Sequence, residues 1–503
     1  MSKKGVLHDL SFGNQIAEEE KDTLKDYFVQ TSSWQKILRG EIDVIYGPKG
    51  AGKSAIYVLV QDYVDYLFDK NVLLVSAENI RGDPAFKSLA LDPPTSEREF
   101  TNLWKLYFIT LIARALDEYG MKGAGIERLR SVLEQNGLRA SKTTTLGAIL
   151  KAVQAYIKKL GNPSAIEGGV EVSETGLPKF TGKLTFDDPT PESEKLGFVS
   201  VDQLFYLADH ALDGARFKVW VLLDRLDVAF DESSDLERNA LRALFRAYRD
   251  IRKYDHIVLK VFLRTDIWER IADSGFREAT HISRDITLKW DKNSLQNLIV
   301  RRLLSNRKVL DYYDIKREDV LESYDAQSKF FYRVFPAQVE LGEKQSSTMD
   351  WIIKRSTDSR NDPAPREIIY FLNKTVEHQA ARLERGESEP DGDALFDRAV
   401  FKEALPELSE YRTTKMLYAE YPDQKKYVEK MRGEKAEQNI SSLSSLWGVG
   451  EEETKPIAQR LVDIGFFEQR GSRDNFAFWV PFIYRPYLDL VQGKAEAEAE
   501  ADQ

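Results

Sequence analysis

The stretch Gly47-Pro-Lys-Gly-Ala-Gly-Lys-Ser54 constrains this chain more than any other. It follows a short apolar run (Ile42, Val44, Ile45, Tyr46) and precedes Ile56, Leu59, Val60 and Val64 at helical spacing, so the local order is strand, tight loop, helix. Glycine at 47, 50 and 52 lets successive backbone N–H groups turn toward one point, where a Cβ would intrude. Such a loop cradles phosphate. Lys53 is placed to reach the β and γ phosphates and Ser54 to offer its hydroxyl to Mg²⁺, while the dipole of the following helix favours an anion at its start. The run Gly47, Pro48, Lys49, Gly50, Ala51, Gly52, Lys53, Ser54 and Ala55 is therefore assigned to binding ATP with Mg²⁺.

Such a loop needs an acid at the end of a neighbouring strand to hold the metal, and Val219 to Leu223 followed by Asp224 supplies it. The next residue is Arg225, not an acid, and Asp227 is the substitute for the missing water-activating carboxylate; pairing with Arg225 is the alternative role for that side chain. A further strand, Ile257 to Leu263, ends in Arg264-Thr265-Asp266. Ligands of open α/β sheets bind at the carboxyl edge, so Thr265 is assigned to orienting water and Arg264 to facing the phosphate or a neighbouring subunit. Asp266 is read as a helix cap.

Composition excludes several classes. There is no cysteine, hence no disulfide, cysteine nucleophile or thiolate metal site. No apolar run approaches the roughly 18 residues of a spanning helix, and the N-terminus lacks the apolar core of a secretory signal, so the expected location is the cytoplasm, with no membrane contact. A net charge of -10 argues against coating nucleic acid through bulk electrostatics, so DNA contact would have to be local.

The chain exceeds the size of one core, and its pattern changes several times. Residues 1–40 read as N-terminal helices. Residues 41–288 alternate strands and helices, the signature of a parallel sheet covered on both faces. Within them about 80–200 is an insertion: helices over 97–160, with Phe100, Leu103, Trp104, Tyr107, Phe108 and Leu111 as a core stripe, then a β-hairpin or small sheet over Gly168 to Thr185. Residues 289–435 read as helical, with loops at Ser359 to Pro365 and Glu384 to Gly392. Residues 436–490 read as helix, turn, helix, hairpin, the pattern of a winged helix, and 491–503 as a disordered acidic tail.

From Gly47 onward this order resembles bacterial P-loop ATPases of the AAA+ and STAND type, near the origin-recognition-complex-like and KAP-type members. The resemblance implies a P-loop NTPase α/β fold with a helical insertion, a helical lid domain and a C-terminal winged helix. It also implies a second sensor arginine at Arg366, in Asn361-Asp-Pro-Ala-Pro-Arg366, and arginine fingers at Arg277 and Arg284, for which a solvated surface role is the alternative. Two departures stand out: the long insertion before Asp224 and the absent acid after it. Both suit a regulated switch better than a steady motor.

The expectation is thus a homo-oligomeric ATPase that uses its nucleotide state to control assembly or a protein partner, a layout that the resemblance links to defence against phage. The alternative is an ATPase that loads or remodels DNA through the winged helix. Against it, Glu451-Glu-Glu453 would present negative charge where a recognition helix enters the major groove, and only Lys455, Arg460, Arg470 and Arg473 offer phosphate contacts. A small-molecule kinase would need an acceptor pocket, for which the sequence carries no signature.

Overall fold

The computed structural model describes the chain except residues 1, 79–85, 87–88, 90–92, 95, 162–182, 187–188, 196–197, 227–233, 274, 473–474 and 496–503. Eleven strands are described: β1 (Val44–Gly47), β2 (Val72–Ser76), β3 (Lys183–Thr185), β4 (Phe198–Ser200), β5 (Lys218–Leu223), β6 (Ile257–Arg264), β7 (Asp285–Thr287), β8 (Lys435–Gln438), β9 (Glu468–Ser472), β10 (Asn475–Trp479) and β11 (Val491–Lys494). The chain divides into two compact units, residues 30–48 with 53–288, and residues 1–29 with 49–52 and 289–503.

The first unit is built on a five-stranded sheet in the order β2-β5-β6-β1-β7. Every neighbouring pair in it is parallel. Wholly parallel sheets are covered on both faces, which is why β1 and β5 are continuous apolar runs with hardly an exposed residue. The insertion helices Glu97–Glu118, Ala124–Gln135 and Leu146–Gly161 share one apolar core with the strands, and the predicted stripe from Phe100 to Leu111 lies inside it. Trp104 fixes the longest of these helices by donating its indole N–H to the Ala240 carbonyl at 2.9 Å. The first helix after the insertion, Val201–Ala215, begins at a reciprocal capping box between Ser200 and Gln203.

Two local features go beyond the sequence. The hairpin or small sheet expected over 168–185 lies outside the described residues except at its end, where β3 pairs with β4 in parallel register. The partner comes after a crossover containing the helix Pro191–Lys195, and parallel strands require such a crossover. β7 was absent from the sequence reading, because three residues, Asp-Ile-Thr, show no usable alternation.

The second unit is mainly helical, with one continuous core running from Val6 and Leu7 through Leu295, Phe331, Trp351 and Phe371 to Phe478 and Leu488. The N-terminal segment is tied in by Glu20, whose carboxylate receives both Arg302 terminal nitrogens at 3.0 and 2.9 Å. The helix Arg398–Glu410 contains Pro406 and continues as a π-helical segment, Tyr411–Leu417, a geometry often found at functional sites. At the end of the chain, helices Ile440–Trp447 and Glu451–Asp463 precede the antiparallel hairpin β9–β10. β8 and β11 extend that hairpin to four strands in the order β11-β8-β10-β9, two strands the sequence did not announce. The parallel sheet with its P-loop and helical insertions is a P-loop α/β fold. No helix among the described residues is long and apolar enough to cross a membrane.

Candidate active site

β1 ends at Gly47 and the next helix, Lys53–Asp62, opens with Lys53 and Ser54. Between them Gly50 and Gly52 adopt φ of 83° and 94°, the left-handed region that only glycine enters without strain. At Gly50 the space is also closed: a Cβ there would stand 3.1 Å from the Arg366 Cβ and 3.3 Å from the Ala364 Cβ. The Lys53 ammonium donates to the carbonyls of Gly47 and Pro48 at 2.8 and 3.0 Å, which holds the charge over the start of the loop.

Strand order decides what else reaches this point. β6 lies between β1 and β5, so the acid at the end of β5 faces the P-loop helix across the end of β6. Asp224 is buried, and its Oδ2 accepts from the Ser54 hydroxyl at 3.0 Å, joining the two predicted metal ligands directly. Gly47 stands opposite Arg264, so Thr265 follows at the same edge. The Thr265 hydroxyl is buried and, among the described residues, has no hydrogen-bond partner. A buried hydroxyl left unpaired costs about 1–3 kcal/mol, and this one lies at the carboxyl edge of the sheet.

Arg264 forks onto Asp266, Nε to Oδ1 at 3.0 Å and Nη2 to Oδ2 at 2.8 Å. Asp266, read from sequence as a cap, thus orients the arginine. Arg225 follows Asp224 in left-handed backbone with φ 57°, uncommon for a side-chain-bearing residue and concentrated at functional sites. Asp227 and Arg473 lie outside the described residues. Arg284 precedes β7 at the opposite, amino edge of the sheet, bonded to the Gly40 carbonyl and 3.2 Å from Asp43. Arg277 starts a short 3₁₀ turn.

The loop tip, Lys49–Gly52, belongs to the second unit. Trp290 donates to the Ala51 carbonyl at 2.9 Å, and Lys49 pairs with Glu420. Arg366, beside Gly50 at the start of the helix Pro365–Glu384, has a buried Nε with no partner among the described residues. Next to it Glu367 is buried, and burial raises its carboxyl above the usual range even though Arg412 and Arg366 pull it back. One Glu367 oxygen receives Arg412 at 2.7 Å, while the other would stand 3.4 Å from a Cβ at Gly50. Trp290, Glu367, Arg412 and Glu420 were not singled out in the sequence. They reach the loop from far along the chain, and no local motif announces such contacts.

No family model matches the sequence, and no curated protein matches it significantly. Among solved structures, the ORC2 protein of Aeropyrum pernix in its ADPNP–ADP complexes aligns over 93% of each chain at 11% identity with a TM-score of 0.29. Its ADP form aligns over 92% of this chain and 88% of that one, at 11% identity and a TM-score of 0.32. Likeness at that level is too loose to carry a function across.

Proposed function

We propose that this chain is an ATP-binding P-loop ATPase of the AAA+ type whose nucleotide state governs assembly or a protein partner. The observation that carries the reading is the Ser54–Asp224 hydrogen bond at the mouth of a glycine cradle, with the Thr265 hydroxyl unsatisfied at the same sheet edge. The residues fit a magnesium nucleotide. Gly47 to Ala55 would enclose the phosphates with main-chain N–H groups, and Lys53 would neutralise β and γ oxygens. Ser54 and Asp224 would hold Mg²⁺, which when bound polarises the phosphate oxygens. Thr265 would orient water, with Arg264 held ready by Asp266. Arg366 is the residue that the sequence resemblance offers as a second nucleotide sensor. Asp227 is the sequence's candidate for the base.

A protein partner is favoured over DNA. Glu451, Glu452 and Glu453 are exposed in the first turn of the second C-terminal helix. The nearby cations among the described residues are engaged: Lys455 pairs with Glu452 at 2.5 Å, Arg460 lies over the Tyr421 ring, and Arg470 forks onto Glu468 at 2.9 and 3.0 Å while stacking on Trp479. Homo-oligomerisation and a part in antiviral defence belong to the same proposal, resting on the sequence resemblance alone.

Calorimetry tests the core of it. Wild-type protein should bind MgATP, and Lys53→Ala should weaken binding by about 2–5 kcal/mol, the cost of removing one partner of a desolvated charge pair. Unchanged affinity in a folded variant would overturn the site. In the same series, tight salt-sensitive binding of random duplex DNA would promote the DNA-remodelling reading.

A further inference from the structure

The proposed ATPase lacks an acid directly after Asp224, yet the sheet brings another carboxylate to the same edge. β2 and β5 run parallel with Ser76 opposite Leu222, and the Ala77 N–H donates to the Leu222 carbonyl at 2.9 Å. Continued two residues, that register would bring Glu78 level with Asp224, and the Tyr57 hydroxyl feels the charges of both. Glu78 is only 1% exposed, and a glutamate so buried at the ligand edge of a parallel sheet is rare without a function.

Tyr57 links the two acids to the P-loop helix. It lies one turn beyond Ser54, and its hydroxyl donates to the Glu78 carbonyl at 3.3 Å. Burial first, then the charges of Asp224 and Glu78, raise that hydroxyl above the usual tyrosine range, as expected for a ring end standing near both carboxylates. The Tyr107 hydroxyl pins the preceding carbonyl, Ala77, at 2.8 Å. The backbone that carries Glu78 is thus fixed from two helices.

We propose that Glu78, rather than Asp227, is the general base of ATP hydrolysis. This rests on the ATPase reading above. Glu78 takes a proton from water as the water oxygen bonds to the γ-phosphorus; the bond from that phosphorus to the β–γ bridging oxygen breaks, and its electron pair leaves with ADP. The proton on Glu78 then passes to the released phosphate or to solvent, restoring the carboxylate.

The test compares Glu78→Gln and Asp227→Asn in the full chain, reading phosphate release from MgATP, affinity for a non-hydrolysable ATP analogue, and the pH profile of turnover. Glu78→Gln should slow turnover by about 100-fold or more, the usual worth of a general base. It should also erase the acid limb of the pH profile and bind the analogue within about threefold of wild type. Glu78→Asp should recover part of the rate, and Asp227→Asn should keep most of it. Wild-type turnover in Glu78→Gln, analogue affinity falling in step with turnover, or silence in Asp227→Asn alone would each overturn the assignment while leaving the ATPase reading intact. A wild type that binds no MgATP would bring down both.

Discussion

Lys260 and Arg412 are cations withdrawn from water, one in each unit, and they are held in opposite ways. Lys260 projects from the middle of β6, 1% exposed, onto the Trp220 ring at 4.4 Å, with the Ile42 carbonyl and Asp43 at 3.2 Å as its polar partners. Asp43 is shared with Arg284 and with the Tyr248 hydroxyl at 3.1 Å. Burial therefore wins, and the ammonium drops to about 8. Arg412 sits on the π-helical segment and spreads its fork over Glu367 at 2.7 Å, Asp358 at 2.5 Å and the Tyr484 hydroxyl at 3.3 Å. Burial works against that charge as well, but Tyr484, Asp358 and Glu367 together hold it above the ordinary arginine range. A compact ammonium with one shared carboxylate gives way to desolvation, whereas a planar guanidinium with two carboxylates does not.

The difference predicts unequal responses to truncation. Arg412→Ala strands two largely buried carboxylates, one of them beside the P-loop tip, and should cost about 3–5 kcal/mol of stability in denaturant unfolding. A loss under about 1 kcal/mol would show that the cluster is solvated and the contrast with Lys260 false.

Lys260→Met should act the other way. The folded lysine loses its proton near 8 and the unfolded one near 10.4, so between those values the unfolded chain binds more protons and wild-type stability rises with pH. Below 8 the full penalty of a buried charge applies. Replacing Lys260 should therefore gain on the order of 2 kcal/mol at neutral pH and flatten the rise between pH 8 and 10. Unfolding curves across that range check both, and a destabilised variant with the rise intact would place the titration elsewhere.

Lys49→Ala probes a third regime. Its pair with Glu420 keeps side-chain exposures of 33% and 21%, so its loss should change stability by less than about 1 kcal/mol. A larger effect would mean that the loop tip is held chiefly by that ion pair rather than by Trp290 and the glycine contacts.

Much of the sheet unit was legible because its signals are local. A strand buried on both faces writes itself as an apolar run, and a phosphate loop needs glycines at fixed spacing, so β1, β2, β5, β6 and the residues from Gly47 to Ser54 stood out. Asp224 was legible for the same reason, as the first polar residue after such a run. The fork of Arg264 onto Asp266 in the first turn of its helix was not legible, because it depends on how the Arg264 side chain turns. β7, β8 and β11 were missed because each is three or four residues long and exists through its neighbour's hydrogen bonds.

The sequence by itself determined the phosphate loop, the acid that joins Ser54 and the alternation that makes a parallel sheet, since each is enforced by backbone geometry within about ten residues. Only the tertiary structure decided that β6 stands between β1 and β5, that the end of β2 runs alongside β5 with the Tyr57 hydroxyl on the Glu78 carbonyl, and that Glu367, Arg412 and Trp290 gather at the loop tip. Those juxtapositions come from strand order and helix packing, where burying a shared apolar core brings together residues that no spacing along the chain relates.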